Sequence, residues 1–226
     1  MKLLNKYLNG NVTVTLFDNG TKIQEWDDNE GAHPDYPNSM DIKITNYCVG
    51  ANCKWCHEQS DSNGKHADLE YLLDFLQELP KGTELAIGGG NPLDHPGLIP
   101  FLKTCKSLGL IPNLTVNYIH ICKEKYLTLI NKLLNNNLIY GLGISIPDTF
   151  NSDMIDLINN KSNIVYHVIT GVNNLSVLNK IKNSCVQKCL ILGYKNYGRG
   201  EKYLSPEVVS NLSNWTDNLG QYIKKI

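Results

Sequence analysis

The run Asp41-Ile-Lys-Ile-Thr-Asn-Tyr-Cys48-Val-Gly-Ala-Asn-Cys53-Lys-Trp-Cys56-His57-Glu58 leads a short alternating strand directly into three cysteines. Three thiols in nine residues are a candidate metal site. Thiolates are soft, charged donors, and holding three together costs repulsion that a bound cation or cluster relieves. A structural zinc site is normally closed by four protein ligands, whereas a cubane iron-sulfur cluster held by three cysteines leaves one iron open to another ligand. His57 makes a poor fourth zinc ligand because it adjoins Cys56, and zinc loops separate their ligands by at least two residues. A zinc knuckle closed by a distant cysteine stays open as the alternative.

Working outward from this run, strands and helices alternate from Met40 onward. Strands are predicted at Asp41 to Thr45, Glu84 to Gly88, Ile111 to Tyr118, Tyr140 to Ser145, Ile164 to Ile169 and Cys189 to Leu192. The intervening helices fall at Asp68 to Leu79, Gly97 to Leu108, Lys123 to Asn135, Asp153 to Asn159 and Leu175 to Asn183, with a last one at Pro206 to Ile223. Six strand-helix repeats make a parallel sheet. Right-handed crossovers curl it toward a barrel that six units need not close. The expected class is therefore α/β, a partial (βα)6 parallel barrel over residues 40–226. Residues 1–39 form a small amino-terminal β-hairpin extension and linker: Val12 to Phe17 and Thr21 to Trp26 alternate on either side of Asn19-Gly20, outside the barrel. Asp27 to Ser39, with Pro34 and Pro37, reads as connecting loop.

In parallel barrels the chemistry gathers at the carboxyl ends of the strands. The cysteines follow strand one, Gly88-Gly89-Gly90-Asn91-Pro92 follows strand two, Asn117 to His120 follow strand three, Ser145 closes strand four, and Gly193 to Arg199 follow strand six. Glycines let a ligand lie against the backbone, whose amides and carbonyls can bond it. A plain strand-to-helix turn would use the same residues. Tyr118, His120, Tyr194, Lys195, Tyr197 and Arg199 are candidates for substrate contact, Arg199 foremost because a guanidinium between Gly198 and Gly200 can grip a carboxylate or phosphate bidentately. His167, mid-strand, reads as a hydrogen-bonded core histidine. Cys105, Cys122, Cys185 and Cys189 raise the question of a second cluster, but free cysteines are commonly buried and inert. Cys122 stands at the mouth-side end of strand three and is a remote candidate for a part in the chemistry there.

Ile44-Thr45-Asn46-Tyr47-Cys48, Cys53-Lys54-Trp55-Cys56 and the glycine run together resemble the radical S-adenosylmethionine (radical SAM) superfamily, over about Met40 to Leu192. Its usual signature is C-x3-C-x2-C with an aromatic residue before the last cysteine, here Trp55. This chain has four residues in the first gap, Val49 to Asn52, an insertion that Gly50 makes cheap. The resemblance implies that Cys48, Cys53 and Cys56 hold a [4Fe-4S] cluster whose open iron takes S-adenosylmethionine. It implies cofactor contacts at Trp55, Gly89, Gly90, Asn91, Asn117 and Ser145, with Asn91 standing where the family has an acidic residue and Asp94 nearby to compensate. Reductive cleavage to a 5′-deoxyadenosyl radical, which abstracts hydrogen from a substrate, is the activity implied. The partners implied are a low-potential electron donor of flavodoxin or ferredoxin type and a small-molecule or peptide/protein substrate. The loop after strand six and the amino-terminal hairpin are the parts expected to select it. The rival class is a non-catalytic metal-binding interaction module, with zinc or a degenerate cluster, on the same barrel.

Bulk properties narrow the rest. A length of 226 residues suits one domain with a sizeable core. The formal charge of −1 lacks the basic footprint of a nucleic-acid binder, so such a partner is not supported. No stretch is long and apolar enough for a membrane span, and Met1 to Lys6 does not read as a signal peptide. Seven cysteines, odd in number and partly clustered, predict a reducing cytoplasm.

Overall fold

Two sheets divide the strands of this computed structural model, which describes residues 1–159, 161–186 and 188–222. Strands β1 (Leu3–Asn9), β2 (Val12–Phe17) and β3 (Lys22–Glu25) form an antiparallel sheet in that order. The second sheet holds six parallel strands in sequential order: β4 (Ser39–Thr45), β5 (Glu84–Gly89), β6 (Ile111–Asn117), β7 (Gly141–Ser145), β8 (Ile164–Ile169) and β9 (Cys189–Leu192). Helices α1 (Leu69–Leu76), α2 (Leu98–Ser107), α3 (Tyr118–Ile121), α4 (Glu124–Asn135), α5 (Asp153–Asp156), α6 (Val177–Lys182), α7 (Arg199–Tyr203) and α8 (Pro206–Asn218) fill the connections. Among the described residues β4 and β9 do not pair, so the sheet is open.

The local chemistry explains the bounds. Asp68 caps α1 by accepting from the Glu70 and Tyr71 amides at 3.0 and 3.2 Å. Asn117 ends β6 one residue before the predicted Tyr118, because its side chain caps α3 through the Ile119 amide at 3.0 Å. Pro206 at the first turn and Ser205 as cap start α8, which gives way to a 3-10 turn at Leu219–Gln221. The predicted end of that helix at Ile223 lies outside the described residues. Helix α7 was not expected; its five residues are too few to show a periodicity.

The two faces of the parallel sheet differ. One carries Ile42, Ile44, Leu85, Ile87, Leu114, Val116, Leu142, Ile144, Tyr166 and Val168, packed in a single buried cluster with Leu76, Phe101, Leu102, Ile130, Leu133 and Trp215 of the helices. Each such aliphatic side chain contributes about 1.5–3 kcal/mol by leaving water. Strand alternation puts small and polar residues on the other face: Lys43, Ala86, Gly88, Thr115, Asn117, Gly143, Ser145 and His167. These eight residues are half-buried or exposed.

The amino-terminal segment corrects the expected hairpin. A third strand, β1, pairs with β2. Its burial inverts the usual sign, since Leu8 is 69% exposed while Asn9 is 2% exposed. Asn9 donates to the Tyr36 carbonyl at 2.6 Å and Asn5 to the Lys81 carbonyl at 2.8 Å. This sheet is also not a free appendage. Lys22 pairs with Glu84 at 2.5 Å, the Tyr140 hydroxyl donates to the Phe17 carbonyl at 2.5 Å, and the Asn163 amide donates to the Asp18 carbonyl at 3.1 Å. All three partners stand at the amino ends of parallel strands. The amino-terminal sheet therefore lies at the end opposite the cysteine loop.

Candidate functional site

The cysteine loop leaves β4 and is tied back on itself. The Cys48 amide donates to the Asp61 carbonyl at 2.8 Å, the Asn46 amide to the Lys65 carbonyl at 2.9 Å, and the Cys56 amide to the Cys53 carbonyl at 3.2 Å. The extra spacer residue is absorbed by two left-handed positions, Gly50 at φ 93° and Asn52 at φ 41°. All three cysteines are half-buried. Burial, and then the neighbouring Cys56, raise the pKa of Cys48. Burial, then Cys56 and Cys48, push Cys53 up to about 11 against a smaller opposing pull from Arg199. Charge on Cys56 thus disfavours ionisation of both Cys48 and Cys53, a cost that a cationic centre relieves.

Among the described residues no three His, Cys, Asp or Glu side chains converge on a point where one metal ion would sit. A cubane cluster asks for something else, because each cysteine ligates a different iron and the sulfurs need only be neighbours around it. Three half-buried thiols on one loop, not converging on a single point, are compatible with such a group.

Arg199 falls where the sequence suggested a substrate contact, but its side chain is turned to the cysteine loop. Its Nε donates to the Cys53 carbonyl at 3.1 Å, one terminal nitrogen to the Ser60 carbonyl at 2.9 Å, and its backbone amide to the Cys56 carbonyl at 3.1 Å. The segment after β9 is thereby fastened to the loop after β4, across the unpaired edges of the sheet. Trp55 packs on Tyr203 with ring centroids 5.6 Å apart, and the Tyr194 hydroxyl donates to the Gly200 carbonyl at 2.5 Å. Lys195 is exposed with its ammonium 3.2 Å from His57 Nε2, and His57 stands edge-on to Tyr197. His57 Nε2 also lies 3.3 Å from Glu58, which pairs with Lys43 at 2.5 Å. Lys43 was missed by the sequence reading, although the Asp41-Ile-Lys-Ile alternation puts it on the polar face.

The glycine run continues β5 alongside the outgoing loop. The Gly90 amide donates to the Thr45 carbonyl and the Asn91 amide to the Tyr47 carbonyl, both at 2.7 Å. Those two amides are spent on the outgoing chain and are not open to a ligand. Asn91 is fully buried: its oxygen accepts from the Leu93 amide at 3.3 Å and its nitrogen donates to Asp94 at 2.8 Å. Asp94 in turn accepts from the Tyr126 hydroxyl at 2.7 Å. Tyr126 had no sequence signal, being one apolar-face position of a helix.

Asn117, Ser145 and His167 lie in one row across β6, β7 and β8. Asn117 reaches the Cys53 sulfur, with Nδ2 to Sγ at 3.5 Å. The His167 ring lies over Gly143, where a Cβ would meet its Cε1 at 2.4 Å. It is half-buried, with no hydrogen bond among the described residues, which corrects the expected hydrogen-bonded core histidine. Burial alone lowers its pKa. His120 is buried, 1% exposed, against Tyr126, with the Val49 carbonyl beside it but short of hydrogen-bond geometry. Tyr118 is buried too, its hydroxyl donating to the Asn151 carbonyl. Cys105 is buried in the core with its thiol pushed up to about 12 by burial, Cys189 is half-buried, and Cys122 and Cys185 are exposed.

The open, sequentially ordered parallel sheet is a radical SAM-like fold, and solved structures share it. No family model matches the chain, and no curated protein does. Among the structural neighbours are three crystal structures of SuiB from Streptococcus suis. SuiB bound to the precursor peptide SuiA superposes with a TM-score of 0.56 at 12% identity, over 83% of this chain and 47% of that one. SuiB bound to S-adenosylmethionine gives 0.52 at 13% identity, over 82% and 48%. A third SuiB structure gives 0.51 at 12% identity, over 82% and 47%. The chain spans about half the length of these neighbours, and at such identity the likeness is one of fold. No helix among the described residues is long and apolar enough to cross a membrane.

Proposed function

We propose that this chain is a radical SAM enzyme. The observation that carries the reading is the placement of three half-buried cysteines, Cys48, Cys53 and Cys56, on the loop after the first parallel strand, in a fold shared with a protein solved bound to S-adenosylmethionine. These cysteines would hold a [4Fe-4S] cluster, which supplies, when bound with S-adenosylmethionine, the one-electron reductive cleavage that yields methionine and a 5′-deoxyadenosyl radical. The chain's own residues would bind and orient. The carbonyls of Gly89 and Gly90 are acceptors suited to the cofactor's ammonium. Ser145 offers a hydroxyl at the end of β7. Trp55, held on Tyr203, and Arg199, fastened to Cys53 and Ser60, would keep the loop in place and water out.

The polar, accessible face of the sheet supports a partial (βα)6 barrel with that face as its interior, residues 40–226 being the catalytic unit and residues 1–39 its base. Placement of the amino-terminal sheet at the far end leaves substrate selection to the segment after β9, with Lys195 and Tyr197 at its exposed edge. SuiB's bound precursor peptide supports a peptide as the substrate class, and a low-potential flavodoxin or ferredoxin would supply the electron. The test is anaerobic reconstitution with iron and sulfide, followed by reduction in the presence of S-adenosylmethionine. We expect 5′-deoxyadenosine, lost in Cys48→Ala. Stoichiometric zinc with no cluster spectrum and no 5′-deoxyadenosine would overturn the reading.

A further inference from the structure

The side-chain amide of Asn117 is committed at both ends. Its oxygen caps α3 by accepting from the Ile119 amide at 3.0 Å, and its nitrogen lies 3.5 Å from the Cys53 sulfur. Flipping the amide would forfeit the cap and set an oxygen against a sulfur that becomes negative when it ligates metal. The cap therefore decides which end faces Cys53. The Cα is fixed as well, because Asn117 is the last residue of β6 and pairs in register with Ser145. Among the described residues, Cys53 is the one cysteine of the three whose sulfur takes a side-chain N–H.

We propose that Asn117 is a positioning residue acting on the cluster through Cys53, and not a contact for S-adenosylmethionine. The inference rests on the radical SAM reading above. A fixed N–H aimed at a ligating sulfur withdraws charge from it and favours the electron-rich, reduced state, so it raises the reduction potential of the centre. The cap prevents the amide from turning away, so the bond persists through the redox change.

Asn117→Ser and Asn117→Asp both retain a good helix cap, and both remove the N–H; the aspartate also adds a negative charge. The measurement is the midpoint potential of the reconstituted cluster by spectroscopic redox titration, with iron and sulfide content and the dissociation constant for S-adenosylmethionine measured alongside. For the serine variant we expect the one-electron reduction equilibrium to fall about tenfold, which is about 59 mV. The aspartate variant should fall further, and the serine variant's affinity for S-adenosylmethionine should stay within about twofold. Fully loaded variants with an unchanged potential would overturn the proposal while leaving the cluster reading intact. An affinity loss at unchanged potential would make Asn117 a cofactor contact, and cluster loss in both variants would make it a support of the loop; either result overturns the proposal. Failure of the unaltered protein to take up a cluster would remove the underlying reading as well.

Discussion

Three consecutive glycines, Gly88 to Gly90, look interchangeable in the sequence, yet their surroundings differ enough to predict opposite outcomes. A Cβ on Gly90 would stand 2.3 Å from the Tyr47 carbonyl oxygen, 2.8 Å from the Tyr47 carbonyl carbon and 2.9 Å from that of Asn46. These are backbone atoms and cannot rotate aside. Relief requires the end of β5 to part from the outgoing cysteine loop, which breaks the two 2.7 Å bonds from the Gly90 and Asn91 amides. Losing two such bonds at about 1 kcal/mol each, with about 1–3 kcal/mol for overpacking, makes Gly90→Ala cost roughly 3–5 kcal/mol. At about 2–4 °C per kcal/mol for a chain of this size, the melting temperature should drop by roughly 6–20 °C. Gly89→Ala should behave alike, with φ at 114° and the Thr45 oxygen 2.3 Å away. Gly88 is different: its Cβ would meet nothing nearer than Thr115 Cβ at 3.8 Å, an ordinary contact. Alanine there also restricts the unfolded chain, so Gly88→Ala should be neutral or stabilise by up to about 1 kcal/mol. Urea unfolding followed by circular dichroism compares the three variants directly. Equal midpoints for Gly88→Ala and Gly90→Ala would refute the argument.

Four further outcomes are expected. Burial lowers the pKa of His95, His120 and His167; the unfolded chain takes up these protons from about pH 6.5 downward and the folded chain only at lower pH. Their contribution is intact above about pH 6.5 and lost as pH falls through the lowered folded values, so His167→Gln should make the urea midpoint depend less steeply on pH below about 6.5, and an unchanged slope would count against it. Trp215, 2% exposed and donating to the Asn173 carbonyl at 2.8 Å, holds α8 to the turn after β8; Trp215→Ala should cost about 3–5 kcal/mol by the same unfolding assay. Arg199→Ala removes the bonds to the Cys53 and Ser60 carbonyls, so hydrogen exchange should quicken within residues 53–60 while the core strands keep their protection. Cys105→Ala should leave the iron content of reconstituted protein unchanged, and Cys53→Ala should abolish it.

The sequence's legibility followed locality. The strands at Ile164–Ile169 and Cys189–Leu192 were legible to the residue, because short, mostly apolar runs are written in neighbouring side chains. Strand β1 escaped because its leucines face solvent, its asparagines face inward, and a register shift between Leu3 and Asn5 breaks the pattern. His120 read as a mouth residue from its place after β6, yet α3 turns it under Tyr126. Arg199 read as a ligand hook from its flanking glycines, and what it hooks is the loop of the same chain some 140 residues earlier, Cys53 and Ser60.

The order of the six parallel strands with the main helices between them, and the location of three cysteines after the first of those strands, were determined by the amino-acid order alone. They depend on hydrophobic period, capping residues and the rule that loops after parallel strands share one end of the sheet. Tertiary structure alone decided which of the three glycines lack room for a Cβ, that the Gly90 and Asn91 amides are spent on β4's outgoing chain, that the Asn117 side chain reaches Cys53, and that the amino-terminal sheet lies at the end away from the cysteines. Each of these is set by an atom brought close by the fold from elsewhere in the chain, and proximity of that kind leaves no local pattern to read.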